Sequence, residues 1–291
     1  ATMAFPRSSG ILCHPTSFPS RHGIGDLGKG AYNFVDWLVA AGQTLWQILP
    51  LTPTSCLSGN SPYTSSSAFA LNPLLISPDF LVKAGFLEPC DLENIPSFAA
   101  DKVDYEAAFR CKQGLLQTAW KRSHDRLKDR DFVEFCHDQA YWLDDYALFM
   151  ALKDAHQGAV WTTWEQEIAR RTPAGLARWR DSLASEVERF KYLQYVFFEQ
   201  WSALRRYAAE RGVRIVGDIP IFVAHDSADV WSHPELFALD QAGNPTVVAG
   251  VPPDYFSATG QLWGNPHYNW ERIAQTGYAW WIERFRSTLE L

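Results

Sequence analysis

A carboxylate inside an apolar run is the first sign of chemistry in this sequence. Apart from Arg214, residues 213–223 are apolar and rich in β-branched side chains, and only Gly217, Asp218 and Pro220 interrupt them. Such a run is typical of a parallel β-strand covered on both faces. A buried carboxylate costs free energy unless another group pairs with it. Asp218 therefore predicts either a functional carboxylate at a strand end or a structural carboxylate that caps the next turn.

The segment after this run gathers polar and aromatic side chains in one long loop. Long irregular loops are uncommon in compact domains unless they have a function. Aromatic rings offer flat apolar faces to sugars, bases or peptides, although such rings also pack within loops. The polar and aromatic side chains of this loop are Asp254, Tyr255, Gln261, Trp263, Asn265 and His267.

Strands and a helix in the right order must position these residues. Residues 10–12, 44–51 and 214–223 read as strands, and residues 31–41 read as an amphipathic helix that ends at Gly42. A strand, helix, strand order with short connections is typical of parallel α/β folds. Three strands alone form either a small open sheet or the beginning of a larger one.

Two further stretches complete this outline. Residues 52–73 are Ser-rich but contain stiff and aromatic side chains, which favours an ordered loop on the same rim as Asp218 over a flexible linker. Residues 78–210 repeat apolar side chains at helical spacing and are predicted to be mostly helical. Residues 279–289 form an amphipathic helical pattern.

Composition excludes several classes of function. The chain has 291 residues, is 47% hydrophobic and carries a net charge of −7 without long runs of like charge. That charge argues against nucleic acid or an anionic membrane as the partner. No apolar segment is long enough to span a membrane as a helix. The 13 Trp are many for a plain core; most are expected to pack, and the others offer flat faces to sugars, bases or peptides.

The cysteine and glycine patterns predict no metal or cofactor site. The five Cys (13, 56, 90, 111 and 136) are scattered without metal-ligand spacing, which predicts reduced thiols, no metal and a cytoplasmic protein. A plastid protein with a removed transit peptide stays open, because the chain does not begin with Met. The glycines of residues 23–28 fit neither a P-loop nor a dinucleotide fingerprint.

Around residues 225–233, capping is the expected role of the acidic and hydroxyl side chains. Asp226, Ser227 and Asp229 are expected to cap a short helix at residues 228–230. His225, His233 and His267 have no spacing that assigns them a role.

Five motifs together resemble the 4-alpha-glucanotransferase family, the amylomaltases or disproportionating enzymes. Their order and gaps make the resemblance specific, and it covers nearly the whole chain, least sharply in the helical middle. The motifs are GILCHPTSFPSRHGIGDLG (10–28), LWQILPLTPT (45–54), SPYTSSSAFALNPLLI (61–76), GDIPIFVAHDSADVW (217–231) and GVPPDYFSATGQLWGNP (250–266).

The resemblance implies a fold and a reaction. The fold class is α/β, a partial (β/α)8 TIM barrel with a large helical insertion. Residues 1–77 would hold the first barrel strands and rim loops, residues 78–210 the insertion, and residues 211–291 the third strand, the substrate-covering loop and the following helix. The implied activity, without a cofactor, is transfer of alpha-1,4-glucan segments to glucose or maltooligosaccharide acceptors by a retaining double displacement.

The resemblance also assigns roles to individual residues. Asp218 matches a supporting carboxylate near the cleaved bond. The other assignments are to substrate binding, in a mobile loop that covers the glucan, in a rim loop and in the first-strand loop: Asp254, Gln261, Trp263, Ser61, Tyr63 and His14.

The principal catalytic carboxylates are expected elsewhere. The family carries its nucleophile in an Arg-x-Asp-His-type motif on the fourth strand and its acid/base on the fifth. Both are expected beyond Leu291, so this chain alone is expected to be inactive. Two alternatives are a non-catalytic glucan-binding truncation and an amylase-like hydrolase, and the PPDYFSATG loop disfavours the second.

Overall fold

A small parallel sheet lies at the start of the fold. The computed structural model describes residues 6–55, 59–123 and 129–291. Strands β1 (Gly10–Leu12), β2 (Leu45–Gln47) and β3 (Arg214–Val216) form a parallel sheet in the order β1-β2-β3. Gly10 pairs with Leu45, and Leu45 with Arg214. The chain is therefore of the α/β class, as the sequence predicts.

Two of the strands are shorter and more exposed than the sequence predicts. The predicted strands at 44–51 and 214–223 reduce to the three residues of β2 and β3. Pro50 and Pro220 have no N–H to donate to a strand ladder. Val216 is 40% exposed and Asp218 is exposed, so the prediction of a buried carboxylate in a doubly covered strand was wrong.

Helix α1 (Lys29–Ala40) connects β1 to β2 as predicted. Its end follows from backbone geometry. Gly42 adopts a φ of +67°, which favours glycine, and its N–H donates to the Val39 carbonyl while the Gln43 N–H donates to the Leu38 carbonyl. These bonds satisfy carbonyls that the last helical turn leaves open.

The middle of the chain is helical, which confirms the prediction for residues 78–210. Within the described part of that stretch there are helices and no strand. The helices are α2 (Pro78–Lys83), α3 (Tyr105–Arg122), α4 (Arg130–Asp138), α5 (Ala140–Ala155), α6 (Gln166–Ala169), α7 (Pro173–Ser182) and α8 (Ala184–Glu210). Polar side chains cap the N-termini of α3 and α7. At α3, Asp104 accepts a hydrogen bond from the Ala107 N–H at 3.0 Å.

The last part of the chain adds a hairpin and three helices. The hairpin is antiparallel, with Val251 opposite Gln261 and an irregularity between Val248 and Gly250. Its strands hold the loop 252–260 between them. The elements are α9 (Ala228–Ser232), β4 (Val248–Val251), β5 (Gln261–Pro266), α10 (Trp270–Gln275) and α11 (Ala279–Glu290).

The chain divides into two compact units, each made of three stretches. The first unit is Ala1–Leu51, Asn72–Val133 and Leu193–Asp218, and the second is Thr52–Leu71, Glu134–Tyr192 and Ile219–Leu291. Each unit therefore draws on all three predicted segments, 1–77, 78–210 and 211–291. The assignment of those segments to a barrel and its insertion stays a prediction.

A buried ion pair organises the first unit. Lys112 of α3 is fully buried, and its Nζ lies 2.9 Å from Asp26 Oδ2. The same ammonium donates to the carbonyls of Leu74 at 2.7 Å and Ile76 at 3.1 Å. The other Asp26 oxygen accepts from the Gly28 N–H at 2.9 Å, immediately before α1. One lysine thus joins three segments that are distant in sequence.

The glycine-rich stretch 23–28 serves this packing. A Cβ at Gly25 would lie 2.0 Å from the Pro15 carbonyl oxygen, so only glycine allows that approach. The Asp26 carboxylate forms an ion pair with Lys112. These contacts give the glycines a structural reason that involves no phosphate.

Aromatic packing forms the core of the second unit. The rings of Phe149, Trp164 and Trp231 lie 5.5–5.9 Å apart between centroids. The Arg171 guanidinium stacks 4.2 Å above the Trp231 ring. Many of the Trp residues therefore pack, which is the ordinary role that the sequence left open for them.

Membrane and thiol features can be stated for the described residues. None of the described helices combines the length and the apolar character that crossing a membrane requires. The cysteines at 13, 90, 111 and 136 are free thiols, and Cys56 lies outside the described residues. Burial raises the pKa of Cys136 to about 11, which keeps that thiol protonated at neutral pH.

Candidate functional site

His14 and Asp218 both lie at the carboxyl end of the parallel sheet. His14 follows β1 by two residues, and Asp218 follows β3 by two residues. Because the strands are parallel, both residues follow the carboxyl ends of strands in the same sheet. In open α/β sheets and barrels, ligands bind at the carboxyl ends of the strands. The predicted roles of His14 and Asp218 stay predictions.

His14 is a buried histidine with an unsatisfied ring nitrogen. Its side chain is 9% exposed, and its Nδ1 has no hydrogen-bond partner among the described residues. Burial lowers its pKa from 6.5 to about 4. The ring is therefore neutral at physiological pH, and its Nδ1 is buried without a hydrogen-bond partner among the described residues.

This burial predicts a loss of stability in mild acid. Between about pH 6.5 and pH 4, His14 is protonated in the unfolded chain but stays neutral in the folded protein. The free energy of unfolding therefore falls as the pH falls through that window. We expect His14→Asn to reduce the loss between pH 7.5 and pH 5 by about 2 kcal/mol, as measured by urea unfolding at both pH values. Equal pH dependence in the two proteins would show that His14 is not held neutral.

The loop 252–260 is shaped by its aspartate. Asp254 Oδ1 accepts hydrogen bonds from the N–H groups of Phe256 at 2.9 Å and Ser257 at 2.7 Å. The Ser257 hydroxyl in turn donates to the Gly260 carbonyl at 2.7 Å. One carboxylate oxygen of Asp254 is therefore used to form the turn, which is a frequent role of Asp in loops.

This turn presents two aromatic rings to solvent. Tyr255 is 97% exposed and Phe256 is 91% exposed, and their rings meet edge to face with centroids 5.5 Å apart. Fully exposed neighbouring aromatic rings are unusual, because removing their apolar surface from water would be favourable. The loop therefore carries an apolar surface that suits contact with another molecule. The sequence analysis named Tyr255 but not Phe256, although the two are adjacent.

Gln261 and Trp263 lie on a strand rather than in the loop. Both belong to β5, two residues apart, and the Trp263 Nε1–H donates to Gln261 Oε1 at 3.1 Å. Trp263 is 46% exposed. Its ring lies against Phe222, with centroids 6.4 Å apart and planes at 66°. A strand holds these side chains more firmly than a loop does. The sequence missed Phe222, which it assigned to the interior of a strand.

Ser61 and Tyr63 form a second turn with an exposed ring. The Ser61 hydroxyl accepts from the Tyr63 N–H at 3.2 Å, and the Thr52 hydroxyl donates to the Pro62 carbonyl at 2.6 Å. Tyr63 is 44% exposed. The predicted ordered loop is thus supported by local hydrogen bonds.

The units divide the predicted site residues. His14 and Asp218 belong to the first unit. The other predicted residues belong to the second unit, where a direct hydrogen bond joins Trp263 to Gln261. These second-unit residues are Ser61, Tyr63, Asp254, Gln261 and Trp263.

Only one of the three expected helix caps forms. Ser227 caps α9 by accepting from the Val230 N–H at 3.3 Å. Asp226 instead pairs with Lys153 at 2.6 Å, and buried Asp229 accepts from the Ala68 N–H at 2.7 Å. The capping prediction was therefore wrong for both aspartates, because partners distant in sequence bind them.

A cavity of about 370 Å³ lies in the second unit, apart from the predicted residues. Its walls include the rings of Phe69, Trp142 and Trp280 and the carboxylate of Asp229. Burial raises the pKa of Asp229, although the Ala68 N–H and the Arg284 guanidinium act to lower it. None of the predicted site residues lines this cavity. Among the described residues, no group of His, Cys, Asp and Glu is arranged to hold a metal ion.

Comparison with known proteins decides the family. The sequence profile described as 4-alpha-glucanotransferase matches residues 13–291. The chain belongs to the 4-alpha-glucanotransferase family. The 4-alpha-glucanotransferase of Synechocystis sp. is 52% identical over 98% of this chain, and that of Thermus thermophilus is 46% identical over 99%. A chloroplastic/amyloplastic relative from Arabidopsis thaliana is 41% identical over 98% of the chain.

Solved structures of this family agree with the fold. The amylomaltase of Streptococcus agalactiae, in complex with acarbose, is 42% identical and superposes with a TM-score of 0.93 over 98% of this chain. The amylomaltase of Corynebacterium glutamicum, at 22% identity and a TM-score of 0.75, shares the fold. The chain spans about half the length of its curated relatives, 57% for Synechocystis and 50% for Arabidopsis.

Proposed function

We propose that this chain forms the substrate-binding part of a 4-alpha-glucanotransferase. The activity would move alpha-1,4-glucan segments to glucose or maltooligosaccharide acceptors by retaining double displacement. The observation that carries this proposal is the family match over residues 13–291. The acarbose complex of the S. agalactiae amylomaltase supports an alpha-glucan as the ligand class. The proposed location is the cytoplasm, or a plastid as in the Arabidopsis relative's name.

The proposed fold extends the three-stranded sheet into a barrel. The strands β1, β2 and β3 would be the first strands of a (β/α)8 barrel. Among the described residues, β1 and β3 each pair with a strand on one side only. Unpaired strand edges favour further strands over a self-contained glucan-binding protein, which would need to cover them.

Each unit contributes residues to the proposed function. Asp218 would act as a supporting carboxylate near the cleaved bond, and His14, which is neutral, would bind substrate from the loop after β1. The half-exposed rings of Tyr63 and Trp263 offer faces on which glucose units can stack. Asp254 would shape the loop that covers the glucan. Nucleophile and acid/base are assigned to no residue of this chain.

A maltotriose assay tests the activity. We expect the 291-residue chain to give no longer maltodextrins on thin-layer plates, because it lacks an Arg-x-Asp-His-type motif for the nucleophile. Joined to the sequence that carries both catalytic carboxylates, it should give glucose and a ladder of longer products without a net gain of reducing ends.

Other results would separate the alternatives. A ladder from the 291-residue chain would place the catalytic carboxylates within it and contradict the assignment. A net gain of reducing ends would indicate a hydrolase. Asp218→Asn in the joined protein tests the supporting role, since it keeps the size of the side chain and should lower the transfer rate without loss of folding.

A further inference from the structure

A buried arginine without a carboxylate partner lies in α11. Arg284 is 1% exposed, and no described carboxylate lies within salt-bridge distance of its guanidinium. A buried cation without an ion pair costs several kcal/mol. Burial lowers the pKa of this arginine, and the Tyr268 phenol and Asp229 raise it. Its contacts must supply what an ion pair would otherwise provide.

Those contacts are with the segment that follows Asp218. Arg284 Nη2 donates to the Pro220 carbonyl, and Nη1 donates to the Tyr268 hydroxyl at 3.3 Å. The Tyr268 hydroxyl in turn donates to the Ile221 carbonyl at 2.9 Å. One guanidinium therefore fixes two successive carbonyls, one directly and one through a phenol.

Two indole rings flank the guanidinium. Its carbon lies 5.3 Å from the centroid of Trp280 and 5.1 Å from that of Trp281. Both distances fall within the range of cation–π attraction. The rings stabilise the charge and leave the guanidinium N–H groups to the carbonyl and the hydroxyl.

A third side chain fixes the same segment. Asn265 of β5 donates from Nδ2 to the Val223 carbonyl at 2.8 Å. Residues 220–223, called here the clamped segment, thus have three of their carbonyls bonded by side chains instead of a neighbouring strand. Hydrogen bonds from a charged guanidinium are stronger than neutral ones. Arg284 is the charged member of this set.

Phe222 lies inside the clamped segment and touches the candidate glucan-binding ring. Its ring lies 6.4 Å from Trp263, 5.5 Å from His267 and 5.9 Å from Tyr268, nearly parallel to the last. Since the carbonyls on both sides of Phe222 are held, its ring has a fixed place. Trp263, itself half-exposed, rests on that ring.

We propose that Arg284 is a positioning residue for Trp263, acting through the clamped segment and Phe222. The inference rests on the proposed function, in which Trp263 stacks on an alpha-1,4-glucan. Arg284 touches no substrate in this arrangement. It fixes the backbone that orients Phe222, and Phe222 sets the face that Trp263 presents.

Lysine cannot replace Arg284 in this role. A guanidinium presents donors in a planar fork that reaches two acceptors at once, whereas an ammonium is a compact, strongly hydrated charge. Arg284→Lys keeps the charge and removes the fork. Tyr268→Phe keeps the ring and removes the hydroxyl that bridges Arg284 to Ile221.

The experiment measures the Trp263 side chain directly in the 291-residue chain. The indole N–H resonance of Trp263 is assigned from its loss in Trp263→Phe, and its shift and water exchange are recorded in Arg284→Lys, Arg284→Met and Tyr268→Phe. Maltotriose affinity is measured by calorimetry on the same proteins. Leu204→Ala, a buried truncation in the first unit, is the matched control for destabilisation.

We expect the resonance to shift and exchange faster in all three variants and to stay unchanged in Leu204→Ala. Maltotriose affinity should fall about tenfold in Arg284→Met, which corresponds to ~1.4 kcal/mol, and less in Arg284→Lys. If Arg284→Met does not fold, the Lys and Tyr268→Phe variants carry the test.

Each other result has one meaning. An unchanged resonance in folded Arg284→Lys and Tyr268→Phe would overturn the inference, whatever happens to affinity. A shifted resonance with unchanged maltotriose affinity would also overturn it, since Trp263 would then not need positioning to bind. A wild-type chain that binds no maltotriose, with the resonance shifted as expected, would contradict the proposed function and leave the positioning of Trp263 supported.

Discussion

Replacement of Lys112 by methionine is expected to lower the free energy of unfolding by about 3–5 kcal/mol. The side chain is fully buried, and methionine has a similar length without the charge. The substitution leaves Asp26 buried with no cation, and it removes the donor to the Leu74 and Ile76 carbonyls. Removal of one partner from a buried pair costs far more than the pair contributes net, because the other charge stays buried.

A double substitution separates the pair from the packing. Lys112→Met with Asp26→Leu removes both charges together and should recover the part of the loss that comes from the unpaired Asp26 carboxylate, while the Leu74 and Ile76 carbonyls stay without their donor. The measurement is urea unfolding of the wild type, both single variants and the double variant. A loss below about 1 kcal/mol in Lys112→Met would mean that the site admits water and behaves as an exposed pair.

Local patterns were sufficient to predict α1, α9, α11 and the helical character of residues 78–210, although not α10. The end of α1 at Gly42 and the cap of α9 by Ser227 follow from residue types that favour those positions. The helical stretch between residues 78 and 210 follows from apolar side chains at helical spacing. These signals are local, since each depends on residues within one or two turns of the chain.

The same patterns could not predict how residues 214–223 form hydrogen bonds. An apolar run establishes neither that each side chain is buried, since Val223 is 5% exposed but Ile221 is 69% exposed, nor which groups bond the backbone. In the structure those partners include Arg284 and Tyr268, which lie 64 and 47 residues away in the sequence. Contacts of that separation leave no periodic signal, so the strand was predicted too long.

The candidate site shows the same division. The prediction that the loop binds substrate came from family motifs, whereas its geometry follows from contacts that the motifs do not contain. Asp254 closes its own loop, and Trp263 lies on a strand against Phe222. Exposure of Tyr255 and Phe256 could not be read from an aromatic pair, because most aromatic residues of this chain are packed.

In the joined protein that carries both catalytic carboxylates, Trp263→Ala is expected to lower transfer to maltotriose by about 30- to 100-fold, or ~2–3 kcal/mol. Hydrolysis should fall by less than about threefold, under ~1 kcal/mol. The physical reason is that a sugar acceptor must be held in place by stacking, whereas water needs no aromatic face. Loss of the ring removes half-buried apolar surface from the position where the acceptor is proposed to bind.

Trp37→Ala is the matched control for this substitution. Trp37 is 52% exposed, close to the 46% of Trp263, and it stacks on Phe34 in α1 instead of resting on Phe222. Both variants lose one exposed indole, but only Trp263→Ala should change the ratio of transfer to hydrolysis, measured from chain-length distribution and reducing ends in the same reaction. Equal losses of the two activities in Trp263→Ala would contradict an acceptor role, because they would place the ring at a step that water and sugar acceptors share.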